Sequence, residues 1–118
     1  MTGLDIYNKA MMLLGYDQNT VNQGATDEIM PKALDIINNI LIDLNLSQIN
    51  SLAEEINGTP KQKDALCSGT AMLIALLEGD TNKNVIFTGL YNAKRSIALK
   101  TSANIEDVLP TDDGGVYK

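Results

Sequence analysis

LIALLEGDTNKNVIFTGLYNAKR, residues 73–95, decides the fold. Its first part closes an apolar helix, Gly79-Asp80 reverses the chain, and a second helix follows, carrying Tyr91-Asn92-Ala93-Lys94-Arg95. Glycine stops a helix because it enters the left-handed region without a Cβ penalty. Asp80 or Thr81 then serves as cap for the next helix, because a short polar side chain there accepts from a free backbone N–H. The stretch therefore predicts a helical hairpin.

Upstream, Thr59-Pro60-Lys61-Gln62 marks where the hairpin's first helix starts. It combines an N-cap, a proline at the first helical position and the T-x-x-Q spacing of a capping box. That helix has an apolar set of Ala65, Leu66, Gly69, Met72, Leu73, Leu76 and Leu77. Its partner carries a stripe of Ile86, Leu90, Ala93 and Ile97, with Val85 and Gly89 beside it. Gly69, Gly89 and Ala93 are small, and on these faces they let two helix backbones approach closely.

Two more helices lie closer to the N-terminus. The first is expected over Leu4–Leu14, with Thr2 as cap, Asp5 where the helix dipole favours an acid, and Gly15 as stop. Its stripe is Ile6, Ala10, Leu13 and Leu14. Residues 16–26 are polar and lack a period, so they read as a loop. The second helix is expected from Thr26 or Asp27 to Leu44, on Met30, Ala33, Leu34, Ile37, Leu41 and Leu44. Ile36 and Ile40 widen that stripe, which implies burial on more than one side. Pro31 sits past the positions where a missing N–H is harmless, so either the helix kinks there or its regular part begins near Met30. In residues 45–59, Ile49, Leu52 and Ile56 are open to a short helix or a packed loop, and the segment is taken as loop.

The sum is an all-α fold, a small bundle of about four helices over residues 1–100 with a C-terminal hairpin. An extended acidic tail follows over 101–118. Composition agrees. Of 118 residues, 44% are hydrophobic and only 4% aromatic, so the core is aliphatic, a mixture that favours helix over sheet. No apolar run approaches the ~20 residues of a membrane span, and the N-terminus lacks the pattern of a signal peptide.

Candidate chemistry is sparse. Histidine is absent, which removes the commonest general base and metal ligand. Cys67 is the single cysteine and lies on an apolar helical segment, where a thiol is a small core residue rather than a nucleophile. The carboxylate pairs Asp27/Glu28, Glu54/Glu55, Glu106/Asp107 and Asp112/Asp113 are adjacent, and neighbours in sequence point apart instead of facing each other across a substrate. The spacing of an EF-hand loop is missing from the tail. Tyr7, Tyr16, Tyr91 and Tyr117 are too scattered to form a base-stacking platform. The expectation is a protein without catalytic activity, metal or cofactor.

Charge is arranged in blocks. The net charge is −6. Residues 1–80 hold 11 acids and 4 bases, residues 81–105 hold 4 bases and no acid, and residues 106–118 hold 4 acids and 1 base. An acidic body argues against wholesale nucleic-acid binding. The basic strip of Lys83, Lys94, Arg95 and Lys100 is open to two readings, a solvated helix face or a subunit interface that pairs with an acidic block of a neighbour.

Leu4–Gly15, Ala33–Leu46, the pair Asp64–Asp80 and Phe87–Ala98, and the tail Ile105–Val116 together resemble, in order, the elements of the head–tail connector (adaptor) proteins of tailed bacteriophages. The likeness covers nearly the whole chain and rests on pattern, since no single motif is diagnostic. It implies a structural virion protein made in the cytoplasm of the bacterial host. Such a protein forms a homo-oligomeric ring, twelvefold in the virion, under the portal protein. The ring extends the DNA channel, through which DNA passes without sequence-specific binding, and docks the stopper or tail-completion protein. On this resemblance Lys83, Lys94, Arg95 and Lys100 are the subunit-interface candidates. Ile105, Val108, Leu109, Val116 and Tyr117 are the portal-docking candidates. The chain is more acidic than a channel-lining protein needs to be. The reading from another class is a small acidic helical protein that binds and regulates a partner.

Overall fold

The computed structural model describes residues 1–16 and 29–107, with side chains through Lys100. Among the described residues four α-helices make up the bundle, α1 (Gly3–Leu13), α2 (Ala33–Asp43), α3 (Pro60–Leu77) and α4 (Thr81–Asp107). A 3-10 turn, Met30–Lys32, leads into α2. Among the described residues there is no strand, only an isolated antiparallel bridge between Thr2 and Glu55.

The helix starts follow local chemistry. Thr59 and Gln62 close a reciprocal capping box at α3, with Gln62 N–H on Thr59 Oγ1 at 3.1 Å and Thr59 N–H on Gln62 Oε1 at 2.8 Å. Thr2 and Asp5 do the same at α1, at 2.9 and 3.1 Å. The Thr2 amide and hydroxyl hold the Asp5 carboxyl below the usual carboxylate range. At α4 it is Asp80, not Thr81, that caps, accepting from Lys83 N–H at 3.1 Å. Pro31 falls within the 3-10 turn, so the regular helix begins after it, and no kink is needed. The Thr26 cap expected for this helix lies outside the described residues.

Three helices end in one way. Residues Gly15 (φ 100°), Asn45 (φ 61°) and Gly79 (φ 74°) are left-handed just past α1, α2 and α3. In each case two N–H groups turn back to the last carbonyls, as with Gly79 to Leu76 O and Asp80 to Ala75 O at 3.1 and 3.0 Å. This is the Schellman arrangement. Asparagine tolerates the conformation through its short polar side chain, so Asn45 acts as a stop that the sequence reading passed over.

Residues 45–59 form an irregular segment, but a fastened one. Asn38 on α2 grips Ile49 in both directions, its amide donating to Ile49 O and accepting from Ile49 N–H, each at 2.9 Å. The free N-terminal amides of α1 bond into the same segment, Leu4 to Leu52 O at 2.9 Å and Gly3 to Glu54 O at 3.2 Å. Ile49 and Ile56 are buried.

Helix α3 is the centre of the bundle and contacts α1, α2 and α4. Residues Ala65 to Ala71 are buried without a break, which happens when a helix is surrounded. Leu76 and Leu77, expected in its core set, are exposed at the end of the hairpin. On α1 the buried face is Ile6, Tyr7, Ala10, Met11 and Leu14, so Tyr7 and Met11 take the place the sequence reading gave to Leu13. Helix α4 continues to Asp107, seven residues into the segment read as extended tail. The physical reason is that Thr101–Asp107 contains neither glycine nor proline to stop it.

Candidate functional site

Helix α4 pairs with α3 along the hairpin and buries Phe87, Tyr91 and Ala98. Gly69 of α3 makes this possible. A Cβ there would come within 2.8 Å of both the Tyr91 ring and Ile40 Cγ2. The tyrosine ring lies over the glycine, and its hydroxyl donates to Asp43 Oδ2 at the end of α2. Arg95 Nε binds the same carboxylate oxygen at 2.8 Å. Burial, and then the bond to Asp43, push the Tyr91 phenol well above its ordinary value of 10.0.

The basic strip is engaged inside the protomer. Lys94 reaches Asp64 at the start of α3, at 2.9 Å, and Arg95 reaches Asp43. Lys83 donates to the Leu14 carbonyl at 2.6 Å, lies 5.8 Å from the centre of the Tyr16 ring and 3.9 Å from Asp80. Tyr16 in turn donates to Glu78 at 2.8 Å, a bond that together with burial raises its phenol to about 12. Three of the four bases assigned to a subunit interface thus fasten α4 to α1, α2 and α3. Lys100 is exposed, and among the described residues no ion pair engages it.

The more informative surface is apolar. Ile86, Leu90, Ala93 and Ile97, expected to pack against the bundle, are exposed. Ile86 keeps 63% of its surface in solvent, Leu90 38% and Ile97 50%. Gly89 beside them faces open space, with nothing within 4 Å of where a Cβ would stand. These residues form a continuous stripe on one side of α4, at spacings of four, three and four residues. No charged residue occurs from Asn84 to Ala93. The periodicity was legible in the sequence, whereas its exposure was not.

Other chemistry is scattered. Cys67 is buried, and burial lifts its thiol to about 11, away from the reactive thiolate. With Met1, Lys9, Pro60, Lys63 and Asp64 it lines an open groove of about 280 Å³, below the usual size of a small-molecule site. Glu54 and Glu55 turn to different partners, Asn50 N–H and the Met1 amino group. Among the described residues no group of three or more His, Cys, Asp or Glu is placed to hold a metal ion, and no helix is long and apolar enough to cross a membrane.

Of the portal-docking candidates, Ile105 belongs to the helical backbone of α4, but its side chain lies outside the described set. Val108, Leu109, Val116 and Tyr117 lie outside the described residues altogether. The fold and surface define an all-α bundle with one apolar helix face open to solvent. Comparison with models of protein families, with curated proteins and with solved structures finds no match to this chain.

Proposed function

We propose that the chain is a structural assembly protein of a tailed bacteriophage, a head–tail connector that sits as a ring under the portal, extends the DNA channel and docks the stopper or tail. The observation that carries this reading is the stripe of Ile86, Leu90, Ala93 and Ile97 in solvent. The same helix is pinned to the bundle through Tyr91, Lys94 and Arg95. A continuous apolar surface on a rigidly held helix favours a protein partner. Because Lys83, Lys94 and Arg95 are engaged within the protomer, this stripe, more than the charge blocks, supplies the assembly contact. Residues 108–118, with Val108, Leu109, Val116 and Tyr117, remain the proposed portal-docking element, together with Ile105.

The test is electron microscopy of portal rings from the same phage genome mixed with the purified chain. A connector adds a second ring of density beneath the portal, and a chain ending at Asp107 keeps its helical circular dichroism but fails to add that ring. Bare portal rings at saturating protein would overturn the proposal.

A further inference from the structure

The stripe has a symmetry that selects its partner. Its positions are 86, 90, 93 and 97, and the gaps of four, three and four residues read the same in both directions. This is the alternation of a coiled-coil seam. When two identical copies of such a seam are laid antiparallel about a two-fold axis, every position meets another member of the stripe. Ile86 meets the Ile97 position of the second copy, and Leu90 meets the Ala93 position. Each large side chain at the centre faces a small one, and Gly89 beside them leaves room for close backbone approach.

Charge selects the same orientation. The stripe itself carries none between Asn84 and Ala93, so two copies approach there without repulsion, although each molecule has a net charge of −6. Lys100 lies seven residues, or two turns, beyond Ala93 on the same side of α4, exposed and unpaired among the described residues. At the other end of the helix stands the hairpin turn, with the carboxylates of Glu78 and Asp80. The one base there, Lys83, is turned onto the Leu14 carbonyl. In this antiparallel register Lys100 of each copy stands opposite position 83 of the other, about one turn from Asp80, while the Lys83 ammonium there is turned away onto the Leu14 carbonyl. A parallel pair would set Lys100 against Lys100. The helix dipoles also oppose each other only in the antiparallel arrangement.

We infer that the stripe Ile86–Leu90–Ala93–Ile97 binds a second copy of this chain, in an antiparallel two-fold contact that closes at the dimer. The inference rests on the reading of the stripe as an assembly surface and names its partner when the protein is free. A closed isologous contact differs from the head-to-tail contact that builds a ring, so the free dimer must open for the stripe to serve in a connector ring. The contact is short, at the low end of specific interfaces, and calls for high protein concentration.

The experiment is sedimentation velocity of the full chain from about 5 to about 500 μM, a range chosen for an interface at the small end of the scale. The wild type is expected to shift from monomer to dimer and no further. Leu90→Glu is expected to weaken dimerisation at least about tenfold, which is about 1.4 kcal/mol, with an unchanged circular dichroism spectrum. Register is read by cysteine pairing in a Cys67→Ser background. Mixed Ile86→Cys and Ile97→Cys chains should form a disulfide-linked dimer under mild oxidation, while either variant alone should not. A monomer at every concentration, larger oligomers, a dimer indifferent to Leu90→Glu, or cross-linking of Ile86→Cys to itself would each overturn the inference. A monomer that still decorates portal rings would remove the dimer and leave the connector reading standing.

Discussion

Helices α3 and α4 are neighbours in one hairpin, yet they meet solvent in opposite ways. Helix α3 buries seven consecutive residues, and even Ser68 and Thr70 are fully enclosed. Helix α4 buries Phe87, Tyr91 and Ala98 and leaves Val85, Ile86, Leu90 and Ile97 exposed. The difference comes from position in the bundle. Helix α3 is covered by α1, α2 and α4, while α4 has α3 on one side. Hydrophobic content alone did not decide burial, and α4 leaves an apolar face uncovered.

Truncation should expose this contrast most strongly. Ile74→Ala, at a fully buried position on α3, is expected to cost about 2–5 kcal/mol through lost burial and a cavity. Ile86→Ala on the open face of α4 should stay within about 0.5 kcal/mol in the dilute protein. Urea unfolding at low micromolar concentration measures both. Equal losses would place Ile86 in the core and erase the distinction.

The two glycines sharpen it. Gly69→Leu forces a side chain into the space of Tyr91 and Ile40, and overpacking of this kind costs about 1–3 kcal/mol. At Gly89 an added Cβ has nothing within 4 Å, so Gly89→Ala replaces glycine in an exposed helix and should stabilise the monomer by about 0.5–1 kcal/mol. The sign of the change in thermal midpoint separates them.

A smaller effect is expected where α4 is tied to α2. Tyr91→Phe removes the hydrogen bond to Asp43 and should cost about 1 kcal/mol. The Tyr91 phenol is raised in the folded protein, chiefly by burial. The folded state therefore holds that proton more tightly than the unfolded chain does. The resulting stability is fully present below pH 10 and is lost as pH rises toward the folded value. Wild-type stability should fall more steeply than that of Tyr91→Phe between pH 10 and pH 11.

What could be read from the sequence was what local chemistry decides. The capping box at Thr59–Gln62 and the stops at Gly15 and Gly79 depend on a few adjacent residues, and all are found. The facing of α4 does not depend on adjacent residues. Ile86, Leu90 and Ile97 repeat at helical spacing, and so do Phe87, Tyr91 and Ala98. The choice between them was made elsewhere, by the gap at Gly69 that admits an aromatic ring and by Asp43, which gives the Tyr91 hydroxyl a partner. The partners of the basic strip were hidden for the same reason. Asp64 lies 30 residues from Lys94, and Asp43 lies 52 from Arg95. A block of like charge in sequence therefore became a set of separate tethers in the fold.

The measurement that tests the central claim most directly pairs stability with assembly in one variant, Leu90→Glu. If the stripe of α4 is an assembly surface outside the core, the thermal midpoint of the dilute protein should move by no more than about 4 °C, the shift that about 0.5 kcal/mol gives in a domain of this size, and the variant should fail to form a ring on portal particles. A large fall in the midpoint would make Leu90 part of the core, and a normal ring from a stable variant would show that assembly uses another surface.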